Sequence, residues 1–221
     1  MKSAHYPGGA AMPESRLRVI TDQLVIGDSV ESRPNVFSVD LAFVDLETSG
    51  LAPEYNEIIE IGMVRASQPA LQIVSTMHTK VQMHHPERMT AEAARVNGYT
   101  AEAWRQAPSP RVALGQFLGL TNGCAFASYF SWLDYDFIYH GLKRTGHLSE
   151  SDRGPWYNVF CVMSMAQLML RGYTPRLRSK MVCEVLGIEP EPEPHDAMSG
   201  ARQAYMIYKR LMEYTEYLKA K

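Results

Sequence analysis

Leu41-Ala-Phe-Val-Asp45-Leu-Glu47-Thr48-Ser-Gly50-Leu51 is an apolar run that ends in two acidic residues and a turn. The run reads as a buried strand, and residues two apart on a strand point to the same face. Asp45 and Glu47 therefore crowd one face at the strand's end. Two carboxylates held together beside apolar surroundings are costly unless a cation neutralises them. Oxygen donors of this kind suit magnesium or manganese better than zinc. A bare Asp-x-Glu pair is more often a solvated strand end, so the surrounding sequence has to decide.

Downstream, Ile58 to Val64 is a second apolar run and Leu71 to Val81 alternates like a third strand. The five residues Ser67 to Leu71 between them fit a hairpin, so the three runs form an antiparallel meander. The period then turns helical. Thr90 is the N-cap of one helix, and Pro108-Ser109-Pro110 opens another running to about Leu120. Cys124 to Ser128 is a fourth strand, Trp132 to Thr145 a helix, and Tyr157 to Cys161 a fifth strand leading into a helix through Arg171. Leu177 to Leu186 is helical and is stopped by Gly187. Glu189-Pro-Glu-Pro-Glu-Pro194 is a stiff extended linker. A last helix runs from about His195 to Lys219, with Ala197, Ala201, Ala204, Tyr208 and Leu211 on one face. Three strands followed by alternating helices and strands make an α/β fold, a mixed sheet flanked by helices. Residues 1–39, opened by Gly and Pro and then an apolar patch, read as an N-terminal extension to a domain at 40–221.

Composition narrows the classes further. The chain has 221 residues, 46% apolar and 21% charged, with a formal net charge of −2. That is an ordinary globular balance, and it argues against coating long duplexes by charge alone. It leaves room for an enzyme that grips one strand end. No apolar run reaches the ~18 residues of a membrane span, and the N-terminus lacks a compact secretory signal. Cys124, Cys161 and Cys183 form no CxxC pair and read as reduced thiols of a cytoplasmic protein.

Phe43-Val-Asp-Leu-Glu-Thr-Ser-Gly-Leu51, followed by Glu57-Ile-Ile-Glu60-Ile-Gly-Met-Val64, resembles the first motif of the DEDDh, or DnaQ-like, 3′–5′ exonucleases. The resemblance covers roughly residues 41 to 215 and implies a ribonuclease H-like five-stranded mixed sheet. It further implies catalytic and metal-binding roles for Asp45 and Glu47, with Thr48, Gly50 and Leu51 against the substrate. The second motif of that family places an Asp at a helix start, and Ala127-Ser-Tyr129-Phe130-Ser-Trp-Leu-Asp134-Tyr-Asp136-Phe137 fits it. Asp134 takes the metal role, with Asp136 as the rival. Tyr129 and Phe130 replace the usual His-Asn pair, and either stack on bases or pack inward.

The third motif supplies a His and, five residues later, an Asp. Pro194-His195-Asp196-Ala-Met-Ser-Gly200 matches around His195, which becomes the general base. Gly200 stands where the Asp belongs. Asp196, one turn earlier on the same face, either reaches the metal or simply favours the helix N-terminus. An Asp introduced at 200 is expected to be tolerated in an ordinary helix. The resemblance thus implies two Mg2+ or Mn2+ ions, a single-stranded DNA or RNA 3′ end as partner, nucleoside 5′-monophosphate products and a homodimer. A disabled exonuclease fold that binds nucleic acid or a protein is the alternative.

Overall fold

The computed structural model describes residues 37–219, with 150, 153, 157 and 193 excepted. The segment 1–39 thus lies, but for its last three residues, outside the described chain. Five strands are present among the described residues: β1 (Leu41–Thr48), β2 (Ile58–Ala66), β3 (Ile73–Lys80), β4 (Ala125–Ser128) and β5 (Val159–Cys161). They form one sheet in the order β3-β2-β1-β4-β5. The first three pair antiparallel, as the meander reading required, and β4 and β5 join parallel to β1.

Among the described residues seven α-helices accompany them: α1 (Ala91–Asn97), α2 (Ala101–Trp104), α3 (Pro110–Thr121), α4 (Ser131–Arg144), α5 (Val162–Met169), α6 (Ser179–Leu186) and α7 (Ala197–Lys219). Thr90 caps α1, its hydroxyl accepting from the Ala93 amide at 3.1 Å. Ser109 and Pro110 open α3 as read, and Gly187 ends α6 with φ +64°. The short α2 was not anticipated; four residues carry too little periodicity to announce a helix.

Alternation along β1 divides the core. Leu41 and Phe43 face α7 in one apolar cluster, while Ala42 and Val44 face α3 and α4 in another. Helix α7 buries the face read from the sequence: Ala197, Ala201, Ala204 and Leu211 are fully buried and Tyr208 nearly so. Phe43 meets Tyr205 and Tyr208 edge-on, with ring centroids 5.5 and 5.3 Å away. Asp45 and Glu47 continue the same face as Phe43, so the carboxylates emerge where the α7 side of the core ends.

Gly62 on β2 sets how closely α7 can approach. A Cβ there would overlap the Ala197 carbonyl and lie 2.5 Å from the Met198 amide nitrogen. Only glycine allows the first turn of α7 to rest on the β2 backbone. Gly62 pairs across the sheet with Asp45. The start of α7 is thereby brought beside that carboxylate.

Candidate active site

A cleft of about 650 Å³ opens at the carboxyl ends of the parallel strands β1 and β4. Asp45 and Glu47 from β1, Asp134 from α4 and His195 from the start of α7 all line it. Thr48, Gly50 and Leu51 form its rim. That loop is rigid by construction. Ser49 Oγ accepts from the Glu57 amide at 2.9 Å, and Asn56 Oδ1 accepts from the Ala52 amide at 3.0 Å. Gly50 lies against the Asn56 side chain, where a Cβ would stand 2.7 Å from its terminal atoms. Helix α1 closes one wall, with Asn97 Nδ2 donating to the Thr48 carbonyl at 3.2 Å.

Asp134 is buried, accepts a hydrogen bond from the Ser128 hydroxyl at the end of β4, and also accepts from the Leu46 amide. Its rival Asp136 points away, half-exposed, with His140 Nε2 3.5 Å from its carboxylate. Tyr129 and Phe130 do not line the cleft. The Tyr129 hydroxyl donates to the Leu177 carbonyl at 2.6 Å and its ring packs against the α7-side core. Phe130 packs edge-on against Trp132, centroids 4.9 Å apart. The polar handle of Tyr129 is satisfied inward, so that residue takes the inward-packing alternative.

Asp196 is the N-cap of α7. Its Oδ1 accepts from the Ser199 amide at 2.9 Å and its Oδ2 from the Ser199 hydroxyl at 2.5 Å. Both oxygens are engaged in the manner expected of a helix cap. Gly200 holds a second surprise. A Cβ at this position would stand 2.5 Å from Asp45 Cγ, inside contact distance of its carboxylate oxygens. An Asp at 200 therefore requires the Asp45 carboxylate to move, a condition that the expected tolerance did not include. The Asp45 carboxylate leans into the space a side chain would need, a tertiary contact that helix propensity cannot foresee.

The electrostatics are one-sided. Burial, and then repulsion from Asp134 and Glu47, push the Asp45 carboxyl well above its usual range. Burial and then Glu60 push Glu47 up to about 8. Burial raises Asp134 to about 7 despite the hydrogen bonds from Ser128 and Leu46. For Asp196, burial pushes upward but the Ser199 hydroxyl and amide, with His78, outweigh it, and its carboxyl sits below the usual range. Converging oxygen donors that repel one another in this way fit a hard divalent cation, which would favour their ionised forms.

Sequence reasoning missed two residues here. Glu191, in the Pro-rich linker, lines the same cleft, and its Oε1 is 3.7 Å from His195 Nδ1. Glu60 on β2 pairs opposite Glu47. It accepts from the Ala197 amide at 3.2 Å and lies 2.6 Å from His78 Nε2. Glu60, His78 and Asp196 each offer one atom within 4.8 Å of the others, a set able to hold a cation. A Glu inside the apolar run Ile58-Ile-Glu-Ile was the available signal for Glu60.

Residues 42–208 match the RNase T family of exonucleases. The chain belongs to this exonuclease family. Among curated relatives, the PolC-type DNA polymerase III of Thermotoga maritima is 27% identical over 201 residues, covering 90% of this chain and 13% of that protein. The Thermotoga petrophila counterpart is 28% identical over 172 residues, 77% of this chain and 12% of that one. The exonuclease domain therefore spans a small part of the length of those relatives. Among solved structures, Escherichia coli exonuclease I in complex with a dT13 oligonucleotide superimposes with TM-score 0.68 at 15% identity, over 81% of this chain and 43% of that one. The nuclease domain of 3′hExo, a DEDDh family member bound to rAMP, gives TM-score 0.64 at 17% identity, over 81% and 94%. These likenesses show the ribonuclease H-like fold that such exonucleases share. No helix among the described residues is long and apolar enough to cross a membrane.

Proposed function

We propose that this domain is a metal-dependent 3′–5′ exonuclease that removes nucleoside 5′-monophosphates from single-stranded DNA or RNA. The observation that carries the reading is the convergence of Asp45, Glu47, Asp134 and His195 on one cleft in a chain of this family. Two divalent cations, Mg2+ or Mn2+, would be held by Asp45, Glu47 and Asp134, with Asp196 near them; they would polarise the scissile phosphate and favour hydroxide. The protein's part is positioning. Leu51, 80% exposed at the rim, offers an apolar face to the terminal base. Thr48 and Gly50, held by the Asn56 clasp, fix the height of that face above Asp45 and Glu47. His195, 39% exposed in its side chain, takes the proton of the attacking water, and α1 narrows the far wall. The dT13 strand in the exonuclease I complex supports a single strand as substrate.

One observation favours a second reading, a disabled exonuclease fold kept for binding nucleic acid or a protein: Gly200 removes the last motif carboxylate. Incubation of 5′-labelled single-stranded DNA and RNA with Mg2+, Mn2+ or EDTA separates the two. The nuclease reading expects metal-dependent ladders from the 3′ end that vanish in Asp134→Asn. Retention of the strands on the protein with no cleavage under any metal would establish the binding reading. Cleavage that survives Asp134→Asn would refute the mechanism.

A further inference from the structure

Position 200 carries no carboxylate, and an acidic residue of the linker, Glu191, is tied to the same helix. Gln203 lies three residues beyond Gly200 and so on the same face of α7, one turn along. It is 3% exposed, and its Oε1 accepts from the Glu191 amide at 3.3 Å. A further hydrogen bond joins Gln203 to the Glu191 side chain. The linker is thereby clipped onto α7 beside the turn that carries Gly200. Pro192 restricts Glu191 to an extended form, and Pro190 just before it has its own φ fixed. The outcome is a carboxylate only 16% exposed, lining the cleft that also holds Asp45, Glu47, Asp134 and His195. Its neighbour Glu189, two residues away on the same linker, is exposed and does not line that cleft.

Gly200 and Glu191 are complementary. A side chain at 200 would collide with Asp45, so the helix cannot present a carboxylate without displacing one already in place. The linker carboxylate of Glu191 instead stands beside His195, its Oε1 3.7 Å from Nδ1. Burial and neighbouring carboxylates raise the Asp45 and Glu47 carboxyls, and Glu191 is among those neighbours.

We propose that Glu191 is the fourth carboxylate of the metal site, delivered by the proline-stiffened linker in place of an Asp on α7. The assignment rests on the nuclease reading of the cleft. Its role is to hold a divalent cation together with Asp45, and its 3.7 Å approach to His195 keeps that imidazole beside the site.

Isothermal titration of the full chain with Mn2+ tests it, comparing wild type with Glu191→Gln, Glu191→Asp and Glu189→Gln. Glu191→Gln should weaken Mn2+ binding by at least the loss that follows removal of an outer-shell partner, roughly 10- to 100-fold. Glu191→Asp should recover part of that affinity, and Glu189→Gln should bind as wild type does. Wild-type affinity in Glu191→Gln would overturn the assignment. So would a Glu191→Gln variant that shifts the NMR titration of His195 and leaves Mn2+ binding untouched, since Glu191 would then only orient the imidazole. A wild-type protein that binds no Mn2+ would remove this inference and the nuclease reading together, whereas binding that ignores Glu191 removes this inference alone.

Discussion

Replacing Glu47 by Gln should make the metal-free protein more stable, and the gain should depend on pH. The Glu47 carboxyl is pushed from 4.5 to about 8 in the fold, first by burial and then by Glu60. The folded chain thus holds this proton more tightly than the unfolded chain does, so stability falls as pH rises from about 4.5 to about 8. At about 1.4 kcal/mol per unit, ionising the folded group costs up to about 5 kcal/mol above that window. At pH 7 the folded carboxyl is still mostly protonated, and roughly 3 kcal/mol of the cost is expressed; at pH 5 it is under about 1 kcal/mol. Glu47 is partly exposed, and solvent screening lowers these figures, so about 1–3 kcal/mol at pH 7 is expected. For a domain of this size that is roughly 2–12 °C in melting temperature. Urea denaturation of both proteins in EDTA at pH 5, 7 and 8.5 measures it. Saturating Mn2+ should reverse the order, since binding at about 100 times Kd adds about 2.7 kcal/mol to wild type. A Gln variant less stable than wild type in EDTA, or a gain no larger at pH 8.5 than at pH 5, would refute the repulsion argument.

Three further outcomes follow from the geometry. His195→Ala should lower turnover by about 10²–10⁴ if the imidazole takes the proton of water, with single-strand affinity unchanged; single-turnover assays and binding titrations check both halves. Gly200→Ala should gain about 1 kcal/mol in helix propensity but lose about 1–3 kcal/mol to overpacking against Asp45; urea denaturation decides the sign, and a net gain would show that Asp45 swings away freely. Gly62→Ala should lose at least about 1–3 kcal/mol, because the obstructing atoms are backbone of Ala197, and should weaken Mn2+ binding as the start of α7 shifts; melting and titration read the two effects.

The sheet was legible because its signals are local. The apolar run from Leu41, the alternation along residues 71–81, the short link at 67–71 and the apolar face of α7 each lie within one stretch of chain. Asp45, Glu47, Asp134 and His195 could be named from motif order, and the cleft does gather them. What could not be read depends on contacts between distant segments. The Asp45 carboxylate against Gly200 joins the first strand to the last helix. Glu191 looked like part of a stiff acidic linker because its tie to Gln203 leaves no periodic mark. Tyr129 looked available for stacking because the Leu177 carbonyl that claims its hydroxyl is 48 residues away. Asp196 was open between metal and cap, and the geometry gives it a cap with both oxygens on Ser199.

The placement of α7 on Gly62 has a consequence for timing. Asp45 and Glu47 belong to the first strand of the domain to leave a ribosome, while His195 and the helix that seats it belong to the last element. Because α7 also covers Phe43 and completes that side of the core, the cleft cannot be assembled until this helix docks. A nascent chain is surrounded by single-stranded RNA, a potential substrate for the finished domain. For the nuclease proposed above, latency during synthesis would thus be a property of chain order, with cutting ability and complete folding arriving in the same event.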